Sequence, residues 1–407
     1  MPELWRDKLF ILPVPRRSMR DAYLVGAAQT EFGAFPRESY RSLFAEAFRK
    51  SMKSVDGELE KTEIDEAFVG NLGIGGRQIG LAGPAVTEHV GLAGTPCTRV
   101  ENACAASGSA LRHAVTAVRA GTADVALAGG YEVMTDMSGE RTRRWLGVSG
   151  ETEWERMAGT TFAGVYALMA DAHMAEHGTT REQLSQVAVK NHSNGAKNPK
   201  AHLGFECSLD DAVSAGTVAD PLNLYDCCPT SDGASVVLVA SRDVAERVSD
   251  TQIHAAGTGQ ASSCVGLFRR PSITSIPATR DAAKEAYDDA DVSSDKIDFA
   301  EVHDCFSIAE IIAYEDLGFC DNGKGGEFIE SGATERDGEL PVNLSGGLKS
   351  KGHPIGATGT GQVVEVFEQI RGEAGERQVE GLERGLTHNV GGSGGAVAVH
   401  VFEKEAW

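Results

Sequence analysis

Four short stretches of this 407-residue chain bring together residue types that can do covalent chemistry. The first is RVENACAASGSALRHA, where Cys104 lies between an apolar strand pattern and a helix that opens on alanine, serine and glycine. A thiol at a helix N-terminus meets unpaired N–H groups and the positive end of the dipole, and both favour the reactive thiolate. The small neighbours leave room for an approaching substrate. The competing reading is a buried structural cysteine, the commoner fate of a free thiol; Cys97, Cys207, Cys264 and Cys320 are assigned to it. The second stretch is NLSGGLKSKGHPIGATGTGQVVEVFEQI, with His353 in a glycine-rich loop ahead of a helix whose apolar face is Val363, Val364, Phe367 and Ile370. This loop is neither a dinucleotide fingerprint nor a Walker loop. Its glycines read as close backbone packing around an imidazole poised to take a proton. The third is EVHDCFSIAEIIAYEDLGF, which sets His303, Asp304 and Cys305 at the carboxyl end of a strand, where sites form in α/β sheets. A metal reading of those three is disfavoured, because successive residues point in different directions. The fourth is THNVGGSGGAV, residues 387–397, whose glycines could present backbone N–H groups to an oxyanion.

Strand and helix patterns alternate around these blocks. AYLVGAA, IDEAFVGN, TPCTRV and DVALAGG read as strands, separated by SYRSLFAEAFRKSMKSV, AGPAVTEHVGL and SGSALRHAVTAVRAG as helices. That rhythm predicts an α/β fold with a mixed or parallel sheet covered on both faces. It breaks between about 136 and 223, a charged stretch with its own helix patterns, WERMAGTTFAGVYALMADAHMAEHG and REQLSQVAVKNHSNG. IDFAEVHD then echoes IDEAFVGN, and GGAVAVHVF echoes DGASVVLVA, so the second half restates the first as a domain duplication. The expected organisation is an N-terminal extension over 1–19, a first half over 20–250 carrying the inserted segment 136–223, and a second half over 251–407. Met19, just ahead of the first strand, is an alternative start.

Composition narrows the function classes. Acidic residues number 59 against 38 basic, a net charge of −21, and 13 of the basic residues are lysine. So acidic a chain lacks the basic footprint of a nucleic-acid binder. An acidic, lysine-poor surface fits a cytoplasm of concentrated salt, where the Debye length shrinks to about 3 Å at 1 M; an ordinary acidic enzyme is the other reading. Eight cysteines without a CxxC pair argue against a disulfide scaffold or a structural zinc site. No apolar run approaches the roughly 18 residues of a membrane helix, and the N-terminal stretch, broken by Pro13 and Pro15, is a poor signal peptide. A cytoplasmic protein is expected.

NACAASG, HDCF, SKGHPIGATG and HNVGG, in this order from about Arg20 to the end, resemble the thiolase superfamily. HDCF and HNVGG are similar to the archaeal and sterol-carrier-protein-type members. Most bacterial and mitochondrial thiolases instead carry an NEAF block and a cysteine in the last loop, where this chain has Asn389. The resemblance implies two duplicated βαβαβαββ halves forming a layered α-β-α-β-α core, with an inserted loop domain that covers coenzyme A.

It also implies a two-step Claisen chemistry. His353 takes the proton of Cys104, which becomes an acyl-thioester. Cys305, supplying the group that the missing cysteine would give, removes an α-proton from acetyl-CoA. His353 and His303 would hold one thioester oxygen, and the N–H groups of Cys104 and Gly391 the other. The implied activity is acetyl-CoA C-acetyltransferase, making or cleaving acetoacetyl-CoA and feeding the mevalonate pathway. Coenzyme A is then substrate and product, and no cofactor or metal is expected. A 3-oxoacyl-CoA thiolase of fatty-acid degradation and a non-catalytic scaffold subunit are the alternatives. Expected partners are further copies in a homodimer or homotetramer, and an OB-fold, zinc-ribbon protein linking the chain to HMG-CoA synthase. Lys190, Lys197, Lys200, Arg269 and Arg270 are cationic candidates for coenzyme A, each equally readable as a surface charge. Cys227 and Cys228, in DCCPTSDGAS, read as packing residues.

Overall fold

The AYLVGAAQ segment forms β1 (Ala22–Gln29), buried along its whole length, as its unbroken apolar run requires of a strand covered on both faces. A computed structural model describes residues 20–76 and 79–405. The expected extension over 1–19, Met19 included, lies outside the described residues. After β1 come α1 (Tyr40–Lys53), β2 (Glu66–Gly70), α2 (Ala82–His89), β3 (Cys97–Val100), α3 (Ala106–Ala120) and β4 (Val125–Glu132). The segment that interrupts the rhythm contains α4 (Gly139–Leu146), α5 (Phe162–His177), α6 (Arg181–Gly195), α7 (Leu209–Ser214) and a small hairpin of β5 (Thr217–Ala219) and β6 (Leu222–Asn223). Then follow β7 (Gly233–Ser241), α8 (Arg242–Val248), β8 (Gln252–Ser262), α9 (Pro277–Ala290), β9 (Phe299–Glu301), α10 (Ser307–Asp316), α11 (Gly325–Glu330), α12 (Gly347–Ser350), α13 (Thr358–Arg371), β10 (Arg384–Gly391) and β11 (Ala396–Glu405).

The strands run in the order β3-β2-β4-β7-β1-β8-β11-β10-β9. Two antiparallel pairs, Tyr23 with His254 and Leu24 with Ile253, join β1 to β8 and link two half-sheets. Each half repeats the same plan. β2 runs parallel to β4 as β9 does to β10, and β7 and β11 return antiparallel beside them. A parallel bridge from Ala300 to Val342 stands where β3 lies in the first half.

α3 and α13 form the middle layer. Leu111 and Val115 of α3, with Val363 and Phe367 of α13, share one core with Leu24 and Val237 of the first half-sheet and Phe299 and Phe402 of the second. α1 covers the outer face of the first half-sheet, against Leu127 and Val236. α9 and α10 cover the second. The expected layered α-β-α-β-α arrangement is therefore present. The interrupting segment leaves the chain within the first half but buries Tyr166, Met169, Leu184 and Val187 against Ile308, Ile311 and Ile312 of the second. It thereby roofs the carboxyl ends of strands from both halves.

The start of that segment departs from its helical reading. Thr152–Arg156 is a single wide turn, set by the Glu151 carboxylate, which accepts the N–H groups of Glu153, Trp154 and Glu155. Gly159, in the left-handed region at φ 98°, ends it, and the helix begins only at Phe162 behind a Thr161 cap. Among the described residues, no helix is long and apolar enough to cross a membrane.

Candidate active site

β3 delivers the chain to a tight turn in which Ala103 takes a left-handed φ of 50° and its N–H is held by the Glu101 carboxylate. That turn sets Cys104 just ahead of α3, buried, with the N–H of Gly392 against its sulfur. The sequence reading expects a stabilised thiolate here; the structure reverses it. Burial dominates and pushes the thiol up to about 12, the Glu132 and Glu101 carboxylates add to the rise, and the N–H groups of Gly392 and Cys104 recover only part of it. The helix N-terminus acts on a group removed from water. At rest Cys104 is a neutral thiol and needs a base.

His353 supplies one. Its Nδ1 lies 2.6 Å from Thr358 Oγ1, and that hydroxyl donates its single proton to the Pro354 carbonyl at 3.0 Å. Thr358 therefore accepts from Nδ1–H, which leaves Nε2 as the bare nitrogen. Burial holds the imidazole neutral, lowering it to about 3. His353 and His303 meet edge to face, ring centres 5.1 Å apart. The donor atoms of Cys104, His303 and His353 all lie within 4.8 Å of one another. Among the described residues this trio alone could grip a metal ion, and an ion there would occupy the reacting atoms themselves.

The HDCF turn splits its three polar residues. His303 faces Cys104 and His353. Asp304 turns away: its carboxylate accepts the N–H groups of Leu348 at 2.6 Å and Lys349 at 3.2 Å, opening α12, and the Asn191 amide at 2.7 Å. A Cβ at Gly347 would sit 2.4 Å from that carboxylate, so glycine is required. Asn191 also binds Glu310, and Glu310 pairs with the buried ammonium of Lys190 at 2.9 Å. This network makes Asp304 an anchor for the turn. Cys305 lines the same cavity as Cys104, and burial raises its thiol well above the ordinary range. The Tyr166 hydroxyl bonds to the Cys305 sulfur and donates to the Gly392 carbonyl at 3.0 Å, while the ring stacks on Phe306. Tyr166 thus connects Cys305 to the backbone segment that contacts Cys104.

The last loop closes the site. Asn389 donates to His303 Nδ1 at 3.3 Å, and His303 Nε2 is buried with no protein partner. Gly391 lies against the Asn102 carbonyl, which a Cβ would approach to 2.3 Å. The residue after it, Gly392, is the one that lines the cavity beside Cys104. The cavity is small, about 110 Å³, with apolar walls from Met134, Leu146, Phe162, Phe306 and Ile355.

The structure thus gathers Cys104, His353, Cys305 and His303, with Gly391 directly behind. It adds Tyr166, Thr358 and Gly392, to which the sequence reading gives no role; Thr358 and Gly392 sit inside the quoted glycine-rich blocks, while Tyr166 carried no signal. The cationic candidates are largely committed elsewhere. Lys190 pairs with Glu310, Lys200 with Glu368, Lys197 donates to the Ser193 carbonyl, and Arg270 donates to the Cys264 carbonyl. Arg269 lies over the Phe268 ring.

A duplicated, layered α/β core whose cavity is walled by three thiols, Cys104, Cys228 and Cys305, and by His353, with His303 beside them, fits an enzyme of covalent acyl transfer. Two family models match the chain: "Thiolase, N-terminal domain" over residues 22–243, and "Thiolase C-terminal domain-like" over residues 259–404. An acetyl-CoA acetyltransferase of Methanothermobacter thermautotrophicus is 44% identical over 388 residues, covering 95% of this chain and 100% of that protein. Sterol carrier protein 2 of Homo sapiens is 32% identical over 419 residues, covering 95% of this chain and 72% of the human protein. The solved Ltp2-ChsH2(DUF35) aldolase superposes with a TM-score of 0.81 at 24% identity, covering 94% of this chain and 98% of that one. The chain belongs to the thiolase family, has the thiolase fold, and is an acyltransferase.

Proposed function

We propose that this protein is an acetyl-CoA C-acetyltransferase that condenses two acetyl-CoA into acetoacetyl-CoA, reversibly, through an acetyl-thioester on Cys104. The observation that carries this is the small apolar cavity in which the protonated thiols of Cys104 and Cys305 share walls with a bare imidazole nitrogen. Proton bookkeeping makes the arrangement work. His353 Nε2 takes the Cys104 proton as the sulfur attacks the first acetyl-CoA carbonyl, with Gly392 N–H beside that sulfur. The departing coenzyme A thiolate takes the proton of Cys305. Cys305 thereby becomes a strong base during turnover, which its burial prevents at rest. It removes the α-proton of the second acetyl-CoA, and the enolate oxygen faces the proton on His353 Nε2 and the one on His303 Nε2. The enolate carbon attacks the acetyl group, Cys104 leaves as thiolate and recovers its proton from His353. Cys305 keeps the α-proton, so the cycle closes.

The family reading carries finer expectations: supply of the mevalonate pathway, a homodimer or homotetramer, association through an OB-fold zinc-ribbon protein with HMG-CoA synthase, and a salt-rich cytoplasm. The net charge of −21 supports the last. The experiment is coenzyme A-dependent loss of acetoacetyl-CoA in molar KCl, beside a medium-chain 3-oxoacyl-CoA. Preference for acetoacetyl-CoA, abolished by Cys104→Ala, is expected. Preference for the longer substrate would transfer the protein to degradation, and failure on both, with folded protein, would favour the scaffold reading.

A further inference from the structure

Lys190, Lys349 and Lys351 are almost wholly buried. An ammonium removed from water is costly unless a carboxylate or several acceptors receive it. Lys190 pairs with Glu310 at 2.9 Å, and Lys351 has Glu301 at 3.6 Å. Lys349 is different. Among the described residues it has no ion pair, and its ammonium donates to one group, the Asp226 carbonyl, at 2.6 Å. A single carbonyl compensates a buried positive charge only in part.

Its surroundings show which group it faces. The Lys349 backbone N–H is accepted at 3.2 Å by the carboxylate of Asp304, the residue before Cys305. The Asp226 carbonyl lies just ahead of Cys227 and Cys228, and the Cys228 N–H donates to the Cys305 carbonyl at 3.1 Å, beside an antiparallel bridge from Cys227 to Phe306. Lys349 thus ties together the two segments that bring Cys305 and Cys228 into the cavity wall. Burial raises both thiols, and the Lys349 charge opposes that rise. The same charge acts on Asp304, Cys227, Cys207 and His192. The Asp304 carboxylate stands beyond ion-pair distance of the ammonium, turned to two N–H groups and the Asn191 amide. Among the described residues that wall the cavity there is no lysine or arginine. An anion on the Cys305 sulfur therefore needs a cation from behind the wall, because the His353 imidazolium is committed to the thioester oxygen.

We propose that Lys349 is the counter-ion of the Cys305 thiolate formed during turnover, a positioning residue that acts through Cys305 when the α-proton is removed. This rests on the acyl-transfer reading of the site. Protons balance: the Cys305 proton leaves on coenzyme A, the α-carbon proton replaces it, and Lys349 keeps all of its own. A nearby opposite charge favours the anion by about tenfold or more.

The first test needs no turnover. In a Cys104→Ala chain, alkylation of Cys305 by iodoacetamide at one fixed pH, read by peptide mass spectrometry, follows its thiolate fraction. The exposed thiol of Cys264 is the internal reference. Lys349→Met, similar in length and uncharged, should slow labelling of Cys305 about tenfold. Lys349→Gln, which retains an N–H donor for the Asp226 carbonyl, should slow it equally. A chain merely loosened by loss of the lysine would label faster. Unchanged or faster labelling in the methionine variant overturns the proposal, and so does recovery by glutamine, which would reduce Lys349 to a prop for that carbonyl. The second test keeps Cys104. The acetyl adduct on Cys104 should form at the wild-type rate in both variants, while condensation falls about tenfold or more. Equal loss from both half-reactions, or loss from neither, overturns the proposal. If the wild type condenses no acetyl-CoA, the acyl-transfer reading fails, and the labelling still decides whether the Lys349 charge governs Cys305.

Discussion

Asn389 donates its amide N–H to Nδ1 of His303 across 3.3 Å, between two fully buried side chains. An accepting Nδ1 puts the ring proton on Nε2, the atom that has no protein partner. His353 is the opposite case: Thr358 holds the proton on Nδ1 and leaves Nε2 bare. Two neighbouring imidazoles are therefore fixed in opposite tautomers, one built to give a hydrogen bond and one to take a proton.

Removing that partner should uncouple the tautomer from the fold. Asn389→Leu, close in size, leaves His303 free to adopt either form, so the oxyanion donor is present only part of the time. Complete loss of one such donor costs roughly 10²–10³ in kcat; a fall of about 10- to 100-fold is expected, with KM for acetoacetyl-CoA little changed. Steady-state kinetics beside a melting curve checks it, and a rate equal to wild type would remove Asn389 from the mechanism.

Cys305→Ala should separate the half-reactions. Acylation of Cys104 needs His353 as base, and protonated His353 can also serve the departing coenzyme A. For abstraction of the α-proton the cavity then offers, besides His353, only the Cys228 thiol, which burial raises well above its ordinary range. Acetyl-CoA should still deposit an acetyl group on Cys104, seen as an adduct by mass spectrometry, while condensation falls by about 10²–10⁴. Cys104→Ala should show no adduct. Full condensation by Cys305→Ala would place the second base elsewhere.

The resting charges set the pH profile. His353 is lowered to about 3 and Cys104 raised to about 12, so the pair stays imidazole and thiol throughout the neutral range. Lowering the pH removes the base only as it nears 3, and kcat/KM for the acylation half-reaction should show no acid limb at the ordinary histidine value of about 6.5. Stopped-flow acylation across pH 5 to 8 at constant ionic strength (a range of roughly one and a half units either side of that value) reads this directly. An inflection near 6.5 would mean that water reaches the ring.

Stability should follow a different curve. His353 and His388, lowered to about 3, and His400, lowered to about 4, are neutral in the folded chain but protonate near 6.5 when it unfolds. The unfolded state then binds more protons below 6.5, so their contribution, full above that pH, is lost as pH falls towards 3. Glu132 and Glu301, raised to about 7 from 4.5, work oppositely between those values, because the folded state binds the extra protons. The trends oppose each other down to about pH 4.5, and below it the histidines are joined by carboxylates that the fold holds low, Asp56 and Glu315 among them, which also lose their contribution as they protonate. Calorimetry in molar KCl should show Tm nearly level down to that pH and falling steeply below it; a collapse complete by about pH 5.5 would contradict the assignment.

Much of this was legible before any coordinates. β1 and β7 announce themselves as apolar runs and β11 as one broken by His400, and the echo of IDEAFVGN in IDFAEVHD marks β2 and β9 as equivalent strands of the repeated plan. Cys104, His303, Cys305 and His353 stand in compact blocks of unusual residue types. What stayed hidden depends on distance in the chain. Lys190 looks like a surface cation until Glu310 is placed against it, and Tyr166 is one tyrosine in a helix until its hydroxyl meets Cys305. The thiolate expectation failed for a related reason: a sequence reveals a helix N-terminus but not the loss of water that outweighs it.

The tightest constraint lies where the middle layer meets the site. A Cβ on Gly359, in the first turn of α13, would lie 2.3 Å from the Gly108 nitrogen of α3 and 2.4 Å from Asn389 Oδ1. α3 carries the Cys104 turn at its head and Asn389 orients His303, so neither neighbour can give way without disturbing a reacting group. Gly359→Ala should cost about 1–3 kcal/mol of stability, as overpacking does, and should also lower kcat. Gly372→Ala is the matched control. That glycine ends the same helix at φ 74° with open space around its Cβ position, so alanine there pays about 1–2 kcal/mol of left-handed backbone strain far from the cavity. Both variants should melt earlier, and only Gly359→Ala should lose turnover when assayed well below its Tm. If the two lose activity alike, the close approach of α3 and α13 serves stability alone and does not hold the catalytic turn.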